Sequence, residues 1–304
     1  MVRALAMALD CDDITDIYTP QAAELLRWRR SHARWRGRLR PRLARQWREM
    51  LTRLRYVATT GLRRRVRDIV MRSRQHDRFV VREDVARRYL AGDGIEIGPL
   101  FWPLRLPPGA RARTVDLQTR EELVAAHAGG QVDVGAIPPV DIVDDAEQLA
   151  TLADASVDFL VANHVLEHIE DPIAALEHWL RVLRPGGILF LTLPDAVTGF
   201  DSARRRTSVE HLLRDHSDGP AVSRQAHYEE WARLIEGAPE EHVATRAAAF
   251  AAEAARHHFH VWELAGFIEF VRATGLPCEL EYAQRSVKEF IVVLRKPTGT
   301  PAGA

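Results

Sequence analysis

Short apolar segments alternate with amphipathic ones from about residue 92 onwards, and the apolar segments have the length of strands. Five of them come before residue 196: residues 95–97, 113–115, 140–143, 157–162 and 188–193. Two more lie near the end of the chain, at residues 279–282 and 289–294, separated by a gap short enough for a hairpin. The pattern predicts an α/β fold with a doubly wound sheet whose last strand runs antiparallel.

The amphipathic segments between the strands have a helical repeat. Residues 172–183 place Ile173, Leu176 and Leu180 on one face, which predicts a helix. The Arg-Pro-Gly-Gly sequence at 184–187 is expected to end it, because proline cannot continue a helix and glycine accepts a left-handed turn. Further helices are predicted at residues 76–91, 121–126 and 262–274.

Residues 196–262 interrupt the alternation. The segment is polar, rich in histidine and mostly helical in its pattern. An insertion of this length inside an α/β domain is more often a lid or a substrate-binding element than a plain connection. We therefore expect a main domain at residues 90–296 that carries a helical lid, followed by a disordered tail at residues 297–304.

Residues 1–89 form an arginine-rich extension that the pattern predicts to be helical. Apolar residues recur at spacings of three and four within residues 39–58, and between residues 27 and 74 there are eighteen arginines and two acids. Three interpretations stay open. The apolar stripe packs on the main domain, or the helix docks on a membrane surface or a partner protein, or the arginines follow a phosphate backbone. Nucleic acid is disfavoured, because no aromatic residues are interleaved to stack on bases.

Composition narrows the class of protein. A chain of 304 residues with no net charge and 46% hydrophobic residues is typical of a soluble globular protein. Its two cysteines have no metal-type spacing and cannot form a disulfide framework, so a cytoplasmic location is expected. The sequence shows no secretory signal and no apolar run of membrane-spanning length.

Polar residues and a glycine stand at or just after the ends of the first four predicted strands. Because the carboxyl ends of parallel strands meet at one edge of a sheet, these residues are expected to lie at that edge. They are Glu96 and Gly98 after the first strand, Asp116 after the second, Asp144 and Asp145 after the third, and Asn163 and His164 after the fourth.

The segment that follows the fourth strand reads His-Val-Leu-Glu-His at residues 164–168. Together with the acidic strand ends and the Arg-Pro-Gly-Gly sequence, it resembles the class I S-adenosylmethionine-dependent methyltransferases, in particular the type 11-like subgroup with this motif. The resemblance covers about residues 90–296. It implies a Rossmann-like sheet of seven strands in the order 3-2-1-4-5-7-6 and S-adenosylmethionine as the cofactor.

The resemblance also implies roles for individual residues. Asp116 matches the acid that accepts hydrogen bonds from both ribose hydroxyls, and Asp145 matches the acid that contacts the adenine amino group. The family commonly has two or three glycines in the loop after the first strand, whereas Gly98 is followed here by the bulky residues 99–103. The amino-acid half of the cofactor would lie against the remaining matched positions, which are Glu96, Gly98, Asn163 and His164.

Methyl transfer to a hydroxyl or an amine requires an aligned acceptor and, in many cases, a base that removes a proton. Histidine suits this role near neutral pH. The candidate catalytic residues are therefore His164 and His168 in the core, and His227 and His260 in the insertion. No metal is expected, because no pair of histidines has the neighbours of a known metal motif.

The sequence thus predicts methyl transfer to a small-molecule acceptor by in-line displacement, with a sugar, a polysaccharide precursor or a specialised metabolite as the acceptor. A first alternative is a membrane- or complex-docked scaffold with a degenerate cofactor domain. A second alternative is a nucleic-acid methyltransferase. It is disfavoured because residues 163–166 do not form a base-flipping motif of the Asn-Pro-Pro-Tyr type.

Overall fold

The structure is a computed structural model that describes residues 78–129 and 133–299. The described residues leave out residues 39–58, where an arginine-rich helix is predicted, the rest of the extension before residue 78 and the last five residues of the tail. The predictions made for them stay predictions.

Seven strands form one mixed sheet in the order β3-β2-β1-β4-β5-β7-β6. β1, β2, β3, β4 and β5 pair in parallel, and β7 pairs antiparallel to both β5 and β6. The predicted strand order and the antiparallel last strand are confirmed. The strands are β1 Gly92–Ile97, β2 Ala110–Asp116, β3 Ile142–Val143, β4 Val157–Asn163, β5 Leu183–Pro194, β6 Glu279–Arg285 and β7 Glu289–Arg295.

Two predicted strand boundaries are wrong for physical reasons. β3 begins at Ile142 rather than at residue 140, because the Asp141 carboxylate accepts the backbone N–H of Thr114 at 2.8 Å in place of a ladder carbonyl. β5 begins at Leu183 rather than at residue 188, since Leu183 already pairs with Val157 of β4. The Arg-Pro-Gly-Gly residues therefore form the irregular start of β5 as well as following the helix.

Helices cover both faces of the sheet. No helix among residues 78–129 and 133–299 is long and apolar enough to cross a membrane. Asp171 caps the helix at Pro172 by accepting the N–H groups of Ile173 and Ala174. The helices are α1 at residues 78–89, α2 Arg120–His127, α3 Pro172–Val182, α4 Val209–Asp218, α5 Ala221–Leu234, α6 Glu240–Ala252 and α7 Leu264–Ala273.

Side chains of the central strand β4 alternate between two buried clusters. Leu160 packs in the cluster that contains Trp179 of α3, whereas Phe159 packs in the cluster that contains Val85 of α1. All four side chains are almost completely buried. Because both faces of β4 are covered, its central residues 159–162 are all apolar, and its polar residues lie towards its two ends.

The insertion at residues 196–262 folds around its own small core. It contains α4, α5 and α6, so its predicted helical character is confirmed, while its role as a lid stays a prediction. Buried Arg204 binds Asp201 at 3.0 Å and Glu230 at 2.7 Å, which ties the start of the insertion to α5. The apolar core consists of Tyr228, Ala232, Val243, Ala247, Phe250 and Phe259.

A buried carboxylate joins three parts of the domain. Glu289, at the start of β7, accepts two hydrogen bonds from Arg82 of α1, at 2.8 and 2.6 Å. The Nε2 atom of His164, just after β4, lies 2.8 Å from the same carboxylate. Burial acts to raise the pKa of Glu289, but the hydrogen bonds and charges of His164 and Arg82 outweigh burial and lower it. Glu289 is therefore a buried carboxylate held by Arg82 and His164.

We expect Glu289→Ala to lower the free energy of unfolding by about 3–5 kcal/mol, because it leaves the buried guanidinium of Arg82 without its partner. Urea denaturation followed by circular dichroism measures the change. The matched control is Glu281→Ala, which removes a partly exposed ion pair with Arg295 and should have a much smaller effect. Equal losses in the two variants would contradict the central role of the buried pair.

Candidate functional site

The loop after β1 turns sharply through left-handed backbone. Gly98 has a φ of 55° and donates its N–H to the carbonyl of Val115 in β2. Leu100 also adopts a left-handed conformation, with a φ of 45°, where a glycine would be favoured. The loop thus follows a backbone path typical of glycine although its residues are bulky, and this conformation is strained.

The carboxylate of Glu96 holds this loop in place through hydrogen bonds. Its two carboxylate oxygens lie 2.9 and 3.0 Å from the backbone N–H of Leu104, and Asn163 donates to Oε1 at 3.2 Å. Burial raises the pKa of Glu96 to about 7, and the hydrogen bonds from Leu104 and Asn163 only partly oppose this. The carboxyl group that sequence analysis matched to a cofactor contact therefore also closes the loop at residues 98–104.

Asp116 lies at the end of β2, beside a small cleft that is partly open to solvent. One of its oxygens accepts the N–H of Gln118 at 3.2 Å. Burial raises the pKa of Asp116. The other residues that line the cleft are mostly apolar: Pro99, Leu100, Thr114, Leu123, Ile137, Pro138 and Val140. A carboxylate beside apolar side chains matches the chemistry of a nucleoside.

The adjacent acids after β3 have different environments. Asp144 accepts hydrogen bonds from the backbone of Asp145, Ala150 and Thr151 and from the hydroxyl of Thr151. Its carboxylate oxygens are therefore occupied by hydrogen bonds within their own loop. Asp145 makes fewer such contacts: Oδ1 accepts the backbone N–H of Glu147 at 3.0 Å, and Oδ2 lies 3.4 Å from Arg256 of the insertion. Asp145 is thus the acid that remains available to a ligand.

Asn163 and His164 occupy the turn where the chain leaves β4. Asn163 bridges three neighbouring strands, because its amide donates to Glu96 while its oxygen accepts the hydroxyl of Thr192 in β5 at 2.9 Å. His164 has a φ of 56°, a strained value for a residue other than glycine. Both residues lie at the reversal point between β1 and β4, as the sequence predicted.

His164 is poorly suited to act as a base. Its Nε2 atom faces Glu289, and its Nδ1 atom lies 3.4 Å from Glu167. Burial acts to lower the pKa of His164, but the neighbouring carboxylates of Glu167 and Glu289 outweigh burial and raise it. Because each ring nitrogen faces a carboxylate, neither is turned towards a substrate, so the geometry favours a structural role.

His168 has the geometry of a neutral base. Its Nδ1 atom lies 3.0 Å from the backbone carbonyl of Arg256, which can only accept, so Nδ1 carries the proton and Nε2 keeps its lone pair. Burial lowers the pKa of His168. Its ring packs edge-on against that of His258, with centroids 4.6 Å apart.

Glu167 and His258 are functional candidates that sequence analysis missed. Glu167 is buried, and neither carboxylate oxygen has a hydrogen-bond partner among the described residues. Burial acts to raise its pKa, but His164, His168 and His258 outweigh burial and lower it to about 2. The Nδ1 atom of His258 donates to Asp201 at 2.7 Å. The His-Val-Leu-Glu-His motif at residues 164–168 includes Glu167 and could have indicated it, whereas His258 comes from a segment 90 residues further on.

Glu167, His168 and His258 each place a ligand-type atom within 4.8 Å of the other two. One carboxylate and two imidazoles in this arrangement can position a polar substrate group, move a proton or hold a cation.

His227 and His260 lie apart from this group. They pack with His211 inside the insertion, with ring centroids of His227 and His260 5.3 Å apart. Burial lowers the pKa of His227 to about 4 and that of His260 to about 3. The structure therefore separates the four histidines proposed as catalytic into a pair after β4 and a pair in the insertion.

Residues 92–191, which run from β1 into β5, match the family model described as a methyltransferase domain. This stretch is similar to methyltransferase domains. A 61-residue stretch is 39% identical to a protein of Mycolicibacterium smegmatis named a probable S-adenosylmethionine-dependent methyltransferase. The match covers 20% of this chain and 24% of that relative. The name of that relative gives S-adenosylmethionine as its own cofactor.

Solved structures of low sequence identity are also similar to the chain. A SAM-dependent methyltransferase of Aquifex aeolicus is 14% identical, with a TM-score of 0.37, over 68% of this chain and 84% of that one. One of Methanosarcina mazei is 15% identical, with a TM-score of 0.39, over 71% of this chain and 98% of that one. Scores this low carry no weight for function.

We expect Glu96→Gln to remove a pH-dependent loss of stability. A carboxyl group whose pKa is raised to about 7 on folding is disfavoured when ionised, so its destabilising effect grows as pH rises from about 4.5 to 7. Over that range the native protein should lose about 3 kcal/mol relative to the variant. Unfolding free energies at several pH values measure this. The control is Glu121→Gln, on the exposed face of α2, and parallel curves for native protein and Glu96→Gln would contradict the prediction.

Proposed function

We propose that the protein transfers a methyl group from S-adenosylmethionine to a small-molecule acceptor. The observation that carries the proposal is the coincidence of two features. The methyltransferase match ends within β5, and the strands it covers bring Asp116, Asp145 and Asn163 to the same edge of the sheet. Ligands of doubly wound sheets bind at this edge.

In this proposal the cleft beside β2 holds the nucleoside. Asp116 accepts hydrogen bonds from the ribose hydroxyls, and Asp145 accepts one from the adenine amino group. Leu100 and Leu123 supply apolar contacts to the base. The turns at Gly98 and Asn163 lie against the amino-acid half. When bound, S-adenosylmethionine supplies the electrophilic methyl group, and the protein supplies alignment.

His168 is the proposed base. Its neutral state and fixed Nδ1 proton leave Nε2 ready to accept a proton from a hydroxyl or amine. Glu167 stabilises the resulting imidazolium, because it is a buried carboxylate whose low pKa keeps it ionised. His258 is the alternative proton acceptor, since its Nδ1 atom is held by Asp201.

The insertion supports a small acceptor rather than a macromolecule. Phe200 is 57% exposed and packs on His258, with ring centroids 4.8 Å apart. Next to it, Trp231 stacks on His257. An exposed aromatic ring beside candidate proton acceptors is suited to cover the apolar face of a sugar or an aromatic metabolite. The acceptor class we favour is therefore a hydroxyl-bearing sugar, a polysaccharide precursor or a specialised metabolite.

Calorimetric titration with S-adenosylhomocysteine tests the cofactor site. We expect saturable binding by the native protein and at least a tenfold loss in Asp116→Ala, because two hydrogen bonds to the ribose disappear. Asp93→Ala is the control, since Asp93 is an exposed acid at the other end of β1. Absence of binding by folded native protein would refute the proposal and favour a scaffold with a degenerate cofactor domain.

Methyl transfer to a panel of sugars, nucleotide sugars and phenols, followed by release of S-adenosylhomocysteine, tests the acceptor class. With the best acceptor, we expect His168→Gln to lower kcat by about 10²–10⁴ and to remove the base limb of the pH profile. His178→Gln, on α3, is the control. Transfer to RNA or protein but to none of these small molecules would overturn the assignment.

The arginine-rich segment supports a second proposal, peripheral docking through residues 39–58. Eighteen arginines against two acids between residues 27 and 74 would attract an anionic membrane surface. Sedimentation of the full chain with phosphatidylserine vesicles, compared with neutral phosphatidylcholine vesicles, tests this. Equal sedimentation with both would leave a partner protein as the docking surface, and catalysis is expected to be independent of either outcome.

A further inference from the structure

Three histidines from three separate elements converge inside the insertion. His211 comes from α4, His227 from α5, and His260 from the segment between α6 and α7. Each offers a ring nitrogen within 4.8 Å of those of the other two. The Nε2 atoms of His211 and His227 are 3.1 Å apart. The helix cap that Ser208 provides to the N–H of His211 fixes the start of α4 beside this cluster.

A carboxylate accompanies the three rings. Oδ2 of Asp215, which is almost fully buried, lies 3.0 Å from Nε2 of His211 and 3.9 Å from Nε2 of His227. The hydroxyl of Ser223 donates to the same oxygen at 2.7 Å. The carboxylate therefore lies beside the rings of His211 and His227, on one side of the three-histidine cluster.

Hydrogen bonding alone does not satisfy the buried ring of His260. Its Nε2 atom lies 3.0 Å from the backbone carbonyl of Glu170, which can only accept, so Nε2 carries the proton. Nδ1 then holds a bare lone pair, is buried, and has no hydrogen-bond partner among the described residues. Leaving such an acceptor unsatisfied costs about 1–3 kcal/mol.

A proton shared within the cluster does not remove this deficit. If His211 donates its Nε2 proton to Asp215 or to His227, the lone pair of His260 still lacks a donor. A cation at the centre would use the lone pairs of all three rings at once. It would also be neutralised in part by Asp215, which explains why a carboxylate is buried at this point.

The distances suit a four-coordinate transition metal. Zinc binds imidazole nitrogen at about 2.0–2.1 Å and prefers a tetrahedron, whose edges are then about 3.3 Å long. The separations of 3.1 Å between His211 and His227, 3.0 Å between His211 and Asp215, and 3.9 Å between His227 and Asp215 bracket that value. The ring nitrogen of His260 lies within 4.8 Å of those of the other two histidines. Nitrogen-rich ligands favour zinc and its neighbours over magnesium or calcium, which prefer all-oxygen sites.

We propose that His211, His227 and His260 bind one zinc-type divalent metal ion, with Asp215 as the fourth ligand. Glu170 and Ser223 orient the ligands from outside, as backbone carbonyls and hydroxyls do around metal-bound histidine and carboxylate. Four protein ligands make the site closed, so the metal is structural. It links α4, α5 and the segment before α7.

The sequence did not reveal this site, and its expectation of no metal is revised by the proposal. The histidines are separated by 16 and 33 residues, which matches no metal motif. Only the packing of the insertion against the loop after β4 brings them together.

Binding of zinc and cobalt to the chelator-treated, full-length protein tests the proposal. We expect calorimetry to give one tight zinc site, and cobalt to give the intense visible absorption of a tetrahedral complex. Zinc should also raise Tm by several degrees, because the metal binds the folded insertion. His227→Ala should weaken zinc binding at least 100-fold and abolish the cobalt spectrum.

Two controls separate this site from other histidines. His242→Ala removes an exposed histidine of α6 and should leave zinc binding unchanged. Glu167→Gln removes the carboxylate of the other histidine group and should also retain the tight site. Loss of zinc in Glu167→Gln with retention in His227→Ala would overturn the assignment, as would the absence of any saturable zinc binding.

Because His227→Ala could unfold the insertion, X-ray absorption of zinc-loaded native protein provides an independent measurement. We expect a first shell of three nitrogens and one oxygen, with the outer-shell scattering of imidazole. A shell without imidazole would refute the proposal. Neither result depends on S-adenosylhomocysteine binding, so the metal site and the methyltransferase proposal fail or succeed separately.

Discussion

The buried contact between Glu289 and Arg82 is the interaction on which the arrangement of the domain depends. It joins α1, which covers one face of the sheet, to the start of the antiparallel strand β7. Glu289 also holds His164, so the turn after β4 is fixed by a residue more than one hundred positions away. A buried ion pair of this kind adds little net stability compared with apolar packing, but it strongly disfavours arrangements that separate its partners.

The loop after β1 shows how the same fold is kept with different residues. Leu100 takes up a left-handed backbone in place of a glycine, and Glu96 holds the far end of the loop through Leu104. The carboxyl group of Glu96 is neutral or ionised in similar proportions near pH 7, since burial raises its pKa to about that value. The geometry of the loop is therefore sensitive to the protonation state of Glu96.

Sequence reasoning recovered the sheet because alternation of apolar and amphipathic segments reports directly on parallel strands and their crossovers. It placed Asp116, Asp145 and Asn163 correctly at one edge for the same reason. It could not assign Glu289, because a single acid at the start of an apolar strand looks like a strand boundary. It also could not tell that Asp144 is consumed by its own loop, since both acids have identical local patterns.

Long-range clusters were beyond sequence reasoning for a different reason. His258 and His260 are two residues apart, yet one lies beside His168 and the other beside His211. Nothing in the local pattern distinguishes them, because the division is made by elements far along the chain.

The backbone of that segment is bound to the core as well as its side chains. The N–H groups of Phe259 and His260 both donate to the carbonyl of Glu167, at 2.7 and 3.3 Å. Hydrogen bonds made by the main chain do not depend on which side chains are present. This part of the insertion therefore keeps its backbone conformation as long as the loop after β4 is kept. Sequence changes that alter the shape of the insertion are then confined to the hairpin of α5 and α6, which packs around its own core.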